Sequence, residues 1–132
     1  MTASILVVED DPDLREILQT FLEVEGHAVR TAENGAAAFV QLYLGDRPEL
    51  VILNLWMPVV SGPEVLEVIR RDPNLASIPV IVVSGAPISD EVKRDATFVL
   101  PKPFEVDTLR DMVEIALSYS HGPSSTPPPL QA

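Results

Sequence analysis

Three runs of branched apolar residues restrict this chain more than any other feature: Ile5-Leu6-Val7-Val8, Leu50-Val51-Ile52-Leu53 and Val80-Ile81-Val82-Val83. A strand with one wet face alternates apolar and polar residues, whereas an unbroken apolar run suits a strand covered on both faces. Amphipathic stretches lie between the runs, and that alternation predicts βα units around a parallel sheet. His27 to Thr31 and Phe98 to Leu100 supply two weaker strands.

The intervening segments carry helix signals. Asp11 can cap a helix with Pro12 at its first position and Leu14, Ile17, Leu18, Phe21 and Leu22 on one face, ended by Gly26. Asn34 opens a second helix to about Leu44, and Ser61 a third through Val65, Leu66, Val68 and Ile69. A fourth, around Ser89 to Asp95, is short and poorly patterned. The fifth runs from Glu105 to about Ser120, with Val106, Leu109, Val113, Ala116 and Leu117 as its buried stripe. From His121 onward, Pro123, Pro127, Pro128 and Pro129 stand among serines and a threonine, so 121–132 reads as a disordered tail or a linker.

At 132 residues the chain is one domain's worth. No apolar run is long enough to span a bilayer, and Met1-Thr2-Ala3-Ser4 lacks the basic and apolar segments of a secretory signal, so the cytoplasm is the expected location. The absence of cysteine excludes disulfides and thiolate metal sites. Nine basic against twenty acidic residues give a net charge of −11, which disfavours direct nucleic-acid binding.

In an open parallel sheet, ligands bind outside the carboxyl ends of the strands. There the first run ends in Glu9-Asp10-Asp11, the second in Asn54 and the third in Ser84, and the last strand is followed by Lys102-Pro103. Singly, each has an ordinary explanation, as a helix cap, a strand-end turn former or a solvated charge. Together they would place two or three acids, an amide, a hydroxyl and an ammonium in one crevice.

In this order the motifs resemble the receiver domain of two-component response regulators over about residues 4 to 118. Ile5 to Asp11 is similar to the family's first strand and acidic pair, and Asn54-Leu55-Trp56-Met57-Pro58 with Ser61-Gly62 to its phosphoacceptor strand end and loop. Val83-Ser84-Gly85 is similar to its hydroxyl-ending strand, and Leu100-Pro101-Lys102-Pro103-Phe104 to its lysine-proline turn. The resemblance implies a flavodoxin-like, doubly wound α/β fold over 1–120, a five-stranded parallel sheet in the order 2-1-3-4-5 with helices on both faces. It also implies that Mg2+ is held by Asp10 directly, by Glu9 through water, by position 54 and by the Trp56 carbonyl. Lys102 would neutralise phosphoryl oxygens, and Ser84 would hydrogen-bond the phosphoryl group and move on its arrival. The Lys102-Pro103 bond is expected to be cis. Partners that the resemblance implies are a sensor histidine kinase or phosphotransfer protein, a downstream protein or fused output domain, and a second copy in a homodimer. No membrane partner is implied.

Asn54 stands where the family has its phosphorylatable aspartate. An amide oxygen carries no full negative charge and is a poor nucleophile, so the site is expected to be blocked and its Mg2+ affinity lowered. The alternative is a phosphorylation-independent pseudo-receiver that acts through protein contacts. The interval from Ser84 to Lys102 is also short for the family, which predicts a reduced fourth helix. The switch aromatic falls at Val99, with Phe98 one place early. A nucleotide-binding or phosphatase reading is poorer: Asp10-Asp11-Pro12-Asp13 has no glycine and repels phosphate, and Asp11 and Asp13 match a phosphatase spacing only if Asp11 is not a cap.

Overall fold

The computed structural model describes residues 2–118. Five strands, β1 (Ser4–Val8), β2 (Ala28–Ala32), β3 (Leu50–Asn54), β4 (Val80–Ser84) and β5 (Phe98–Pro101), form one parallel sheet in the order β2-β1-β3-β4-β5. The helices are α1 (Pro12–Val24), α2 (Gly35–Leu44), α3 (Gly62–Arg71), α4 (Asp90–Asp95) and α5 (Val106–Leu117). Among the described residues, no helix is long and apolar enough to cross a membrane.

The three apolar runs are the three inner strands. Their side chains alternate between the faces and split the core in two. Leu6, Val8, Val51, Leu53, Val80 and Val82 pack with Ala38, Leu42, Val65, Leu66, Ile69 and Val92 of α2, α3 and α4. Ile5, Val7, Leu50, Ile52, Ile81 and Val83 meet Leu18 and Leu22 of α1 and Leu109, Met112, Val113 and Ala116 of α5. Complete burial of each large aliphatic side chain stabilises the fold by about 1.5–3 kcal/mol, and the polar residues of these strands, Ser4, Asn54 and Ser84, stand only at their ends.

The helix ends follow local chemistry. Asp11 accepts hydrogen bonds from the Asp13 and Leu14 N–H groups, so the capping reading of this acid holds. Gly26, just past the end of α1, adopts a φ of 99°, a conformation that favours glycine. Asn34 caps α2 through the Ala37 N–H, whereas Ser61 precedes α3 without a side-chain cap bond. Helix α4 is as short as the sequence suggested, six residues.

Some expected positions shift. Strand β2 lies one residue later than His27–Thr31, because an edge strand of intermediate burial gives a weak pattern. Ile17 and Val106, expected in apolar stripes, are 57% and 42% exposed, and Met112 enters the core instead. Phe98 is buried against the α1/α5 side and Val99 packs on the other, so neither is an exposed aromatic poised to rotate. The part of α5 expected beyond 118 and the tail 121–132 lie outside the described residues.

Strand register brings the polar residues together. Val8 pairs with Leu53, Asn54 with Val83 and Ser84 with Pro101, so all these strands end at one level. Strand order reverses direction about β1, and the crevice forms at that switch point, over the ends of β1 and β3.

Candidate functional site

Glu9 lies deepest in the crevice, only 2% exposed. Its backbone N–H still donates to the Ala32 carbonyl, 3.0 Å away, which draws the residue down onto the sheet. The buried carboxylate is satisfied on both oxygens. Oε2 accepts from the Asp11 N–H at 3.1 Å and from Asn54 Nδ2 at 2.9 Å, and Oε1 pairs with Lys102 Nζ at 3.3 Å. Burial lifts the Glu9 carboxyl above its ordinary value, with its contact to Asp10 acting in the same direction; the Asp11 N–H and the Lys102 ammonium pull it back. Arg15, from the first turns of α1, donates to the Glu9 carbonyl at 2.9 Å and fixes the backbone beneath it.

Asn54 closes the arrangement. Its Nδ2 donates to Glu9 Oε2 at 2.9 Å and to Asp10 Oδ1 at 3.0 Å, and faces the Trp56 carbonyl at 3.3 Å. Its Oδ1 accepts from the Trp56 N–H at 3.4 Å. The chemistry fixes this orientation of the amide: turned over, an acceptor would face three acceptors and two N–H donors would face a third. The end of β3 is also sterically tight, because a Cβ at Gly62 would come within 2.5 Å of the Asn54 carbonyl oxygen and of Leu55 Cα. Only glycine lets α3 begin directly against this strand end, with the Gly62 N–H bonded to the Leu55 carbonyl at 2.9 Å.

The β4–β5 side is less connected. Ser84 is buried, but its Oγ turns back onto its own loop, donating to the Ala86 carbonyl at 2.9 Å and accepting from the Ala86 N–H at 3.1 Å. Lys102 follows β5, its N–H bonded to the Ser84 carbonyl at 2.8 Å, and the Lys102-Pro103 peptide is cis. Its ammonium reaches across the sheet to Glu9. The Trp56 indole stands at the rim, 56% exposed, near Val59, which is 88% exposed and holds a φ of 70° unusual for a branched residue.

The structure therefore gathers Glu9, Asp10, Asn54, the Trp56 carbonyl and Lys102, and leaves Ser84 engaged locally. Sequence reasoning missed Arg15 and the bridging amide of Asn54. Arginine six residues past a strand-end acid is a faint signal, and nothing in the sequence orients an amide.

The oxygens expected to surround Mg2+ do not form a metal set as they stand. Glu9 Oε2, Asp10 Oδ1 and the Trp56 carbonyl all converge on Asn54 Nδ2, a hydrogen-bond donor that cannot ligate a cation. Among the described residues, no group of three acidic, histidine or cysteine side chains is placed to hold a metal ion.

Comparison with known proteins bears on this geometry. The family model for the response regulator receiver domain matches residues 5–114. The nitrogen assimilation regulatory protein NtrX of Azorhizobium caulinodans is 32% identical over 123 residues, covering 89% of this chain and 26% of that protein. Protein Rrf1 of Nitratidesulfovibrio vulgaris is 30% identical over 128 residues, covering 96% of this chain and 92% of its own length. The crystal structure of the response regulator TrrA of Thermotoga maritima, in complex with Mg2+ and BeF, superposes with a TM-score of 0.77 at 35% identity, covering 85% of this chain and 96% of that one. The chain spans about a quarter to a half of the length of the first curated relatives it matches.

Proposed function

Because the chain belongs to the response regulator receiver family, we propose that it is a phosphorelay receiver whose phosphoacceptor position is filled, and blocked, by Asn54. Receiver domains are signalling modules of two-component systems, so the question is what signal this site can carry. The observation that supports the reading is the place of Asn54: at the carboxyl end of β3, in contact with both acids at the end of β1, with Lys102 paired to one of them.

Acceptance of a phosphoryl group requires a nucleophilic oxygen. The Asn54 Oδ1 is an amide oxygen, already engaged by the Trp56 N–H, and its lone pairs are delocalised toward Nδ2. Lys102 supplies a positive charge at the crevice, but it lies against Glu9 and compensates that buried carboxylate. When Mg2+ is bound in a receiver, it neutralises oxygen charge around the transferred group; here position 54 offers one carboxylate too few, and we propose that Mg2+ affinity is lowered. The roles assigned to Ser84 and to Trp56, contact with a phosphoryl group and a carbonyl ligand, belong to the same proposal.

A second reading is favoured by the closed hydrogen-bonding of the amide: a phosphorylation-independent pseudo-receiver acting as a protein-protein interaction module. Under either reading the partners are proteins, a sensor histidine kinase or phosphotransfer protein and a downstream protein or output domain, or a second copy of the chain. The net charge of −11 supports protein rather than nucleic-acid contact by these residues. We place the receiver unit at 1–120 with 121–132 as tail or linker, and its location in the cytoplasm.

The test is to incubate the protein and its Asn54→Asp variant with acetyl phosphate and Mg2+ and to record intact masses. A phosphoryl gain by the variant alone supports a receiver blocked at one residue. No gain by a folded variant rejects that reading in favour of the pseudo-receiver, and a gain by the unaltered chain removes Asn54 as the acceptor position.

A further inference from the structure

We propose that the Asn54 side-chain amide is a built-in substitute for the divalent cation, which holds the crevice in one metal-independent arrangement and excludes Mg2+ by occupying its place. The proposal deepens the reading above and rests on it for the identity of the position. It differs from a simple loss of one ligand charge. A missing charge weakens a site in proportion to what is lost, whereas a substitute donor fills it.

The geometry points to filling. A small hard cation would gather a carboxylate oxygen from each acid and the Trp56 carbonyl. Those three oxygens converge instead on Nδ2, at 2.9, 3.0 and 3.3 Å. Nδ2 carries two N–H groups, so three acceptors share two protons and none is left aimed at empty space. The other Glu9 oxygen, Oε1, is held by Lys102, and Oε2 takes a second bond from the Asp11 N–H. Glu9 and Asp10 carry two negative charges, Lys102 one positive, and the amide donors spread over both carboxylates. A cation entering here would have to break the amide's bonds to Glu9 and Asp10 and leave two N–H groups unpaired in a pocket where Asn54 is only 6% exposed.

The consequence runs against ordinary ligand counting. Removing the Asn54 side chain takes away a potential oxygen ligand and adds no charge, yet it should create Mg2+ binding, because the two carboxylates and the Trp56 carbonyl are then released toward a common point. Trp56, the only tryptophan, reports on that point through its own carbonyl.

The experiment titrates MgCl2 into the unaltered protein, Asn54→Ala and Asn54→Asp, with NaCl at matched ionic strength as the control. Trp56 fluorescence and the melting temperature are read with and without EDTA. The unaltered protein should show no saturable response and the same melting temperature in both conditions. Asn54→Ala should respond saturably, with half-saturation at least about tenfold below any response of the unaltered protein. Asn54→Asp should melt lower in EDTA, by about 5 °C or more, and recover with Mg2+. A saturable Mg2+ response in the unaltered protein, or an Asn54→Ala variant that binds no better, overturns the proposal. Acetyl phosphate separates the two readings: an Asn54→Asp variant that binds Mg2+ but gains no phosphoryl group sinks the blocked receiver and leaves the cation substitute standing.

Discussion

The two halves of the sheet are held by different means. Over β1 and β3, side chains bond to side chains across the sheet: Asn54 to Glu9 and Asp10, and Glu9 onward to Lys102. Along β4 and β5, the polar residues bond mainly to backbone. At the crevice Ser84 turns onto Ala86, and at the opposite end of these strands Arg70 of α3 donates to the carbonyls of Asp95, Ala76 and Ile78 at 2.7, 3.1 and 2.6 Å and reaches the Thr97 hydroxyl at 3.5 Å. Thr97 Oγ1 in turn accepts from the Val80 N–H. The first half is set by residue chemistry and changes character with one substitution. The second is set by chain path, and it fixes the end of α4 and the starts of β4 and β5 whatever occupies position 54. Lys102 is the link between them.

That contrast can be broken most forcefully at Arg70. Arg70→Ala should cost about 2–4 kcal/mol in urea unfolding, because several carbonyls lose a charged donor at once. A loss below about 0.5 kcal/mol would mean that packing alone positions α4 and β5. The variant should leave Trp56 fluorescence in the folded state unchanged, since nothing in the β1–β3 network depends on it.

Lys102→Met should cost less, about 1–2 kcal/mol near neutral pH, since the ammonium is 27% exposed and the carboxylate only 3%. The cost should depend on pH. Burial raises the folded-state pKa of Glu9 above its value in the unfolded chain, so the native state keeps a proton that the unfolded state releases. Stability from this group is therefore full below the ordinary glutamate range and declines as pH rises through the folded value. Without Lys102 the folded value rises further and the decline extends to higher pH. Unfolding measured across the acidic range should show the two proteins converging as pH falls. A gap that stays constant with pH would show that Lys102 acts through packing and not through the Glu9 charge.

Most of the fold was legible in the sequence because branched apolar runs are a strong statement about burial. The inner strands, the caps at Asp11 and Asn34 and the short α4 follow directly. Edge strand β2 and the outward Ile17 and Val106 were less legible, since a helix stripe can be wider than the surface that covers it. At the site, the sequence named the residues that meet but not what the meeting does. Asn54 reads as a lost nucleophile, and only geometry shows its amide reaching both acids. Ser84 reads as a residue facing the crevice, yet a turn two residues long captures its hydroxyl. The Arg70 anchor works through carbonyls, which every residue has, and so leaves no pattern of residue types.

The most direct test of this account is the nuclear magnetic resonance signal of the Asn54 side-chain amide, assigned by its loss in Asn54→Ala. Bonded to Glu9 and Asp10, its two protons should be shifted from those of exposed asparagines, exchange slowly with solvent and stay in place when Mg2+ is added. Rapid exchange, or a shift that follows Mg2+ to saturation, would contradict the claim that this amide holds the crevice closed.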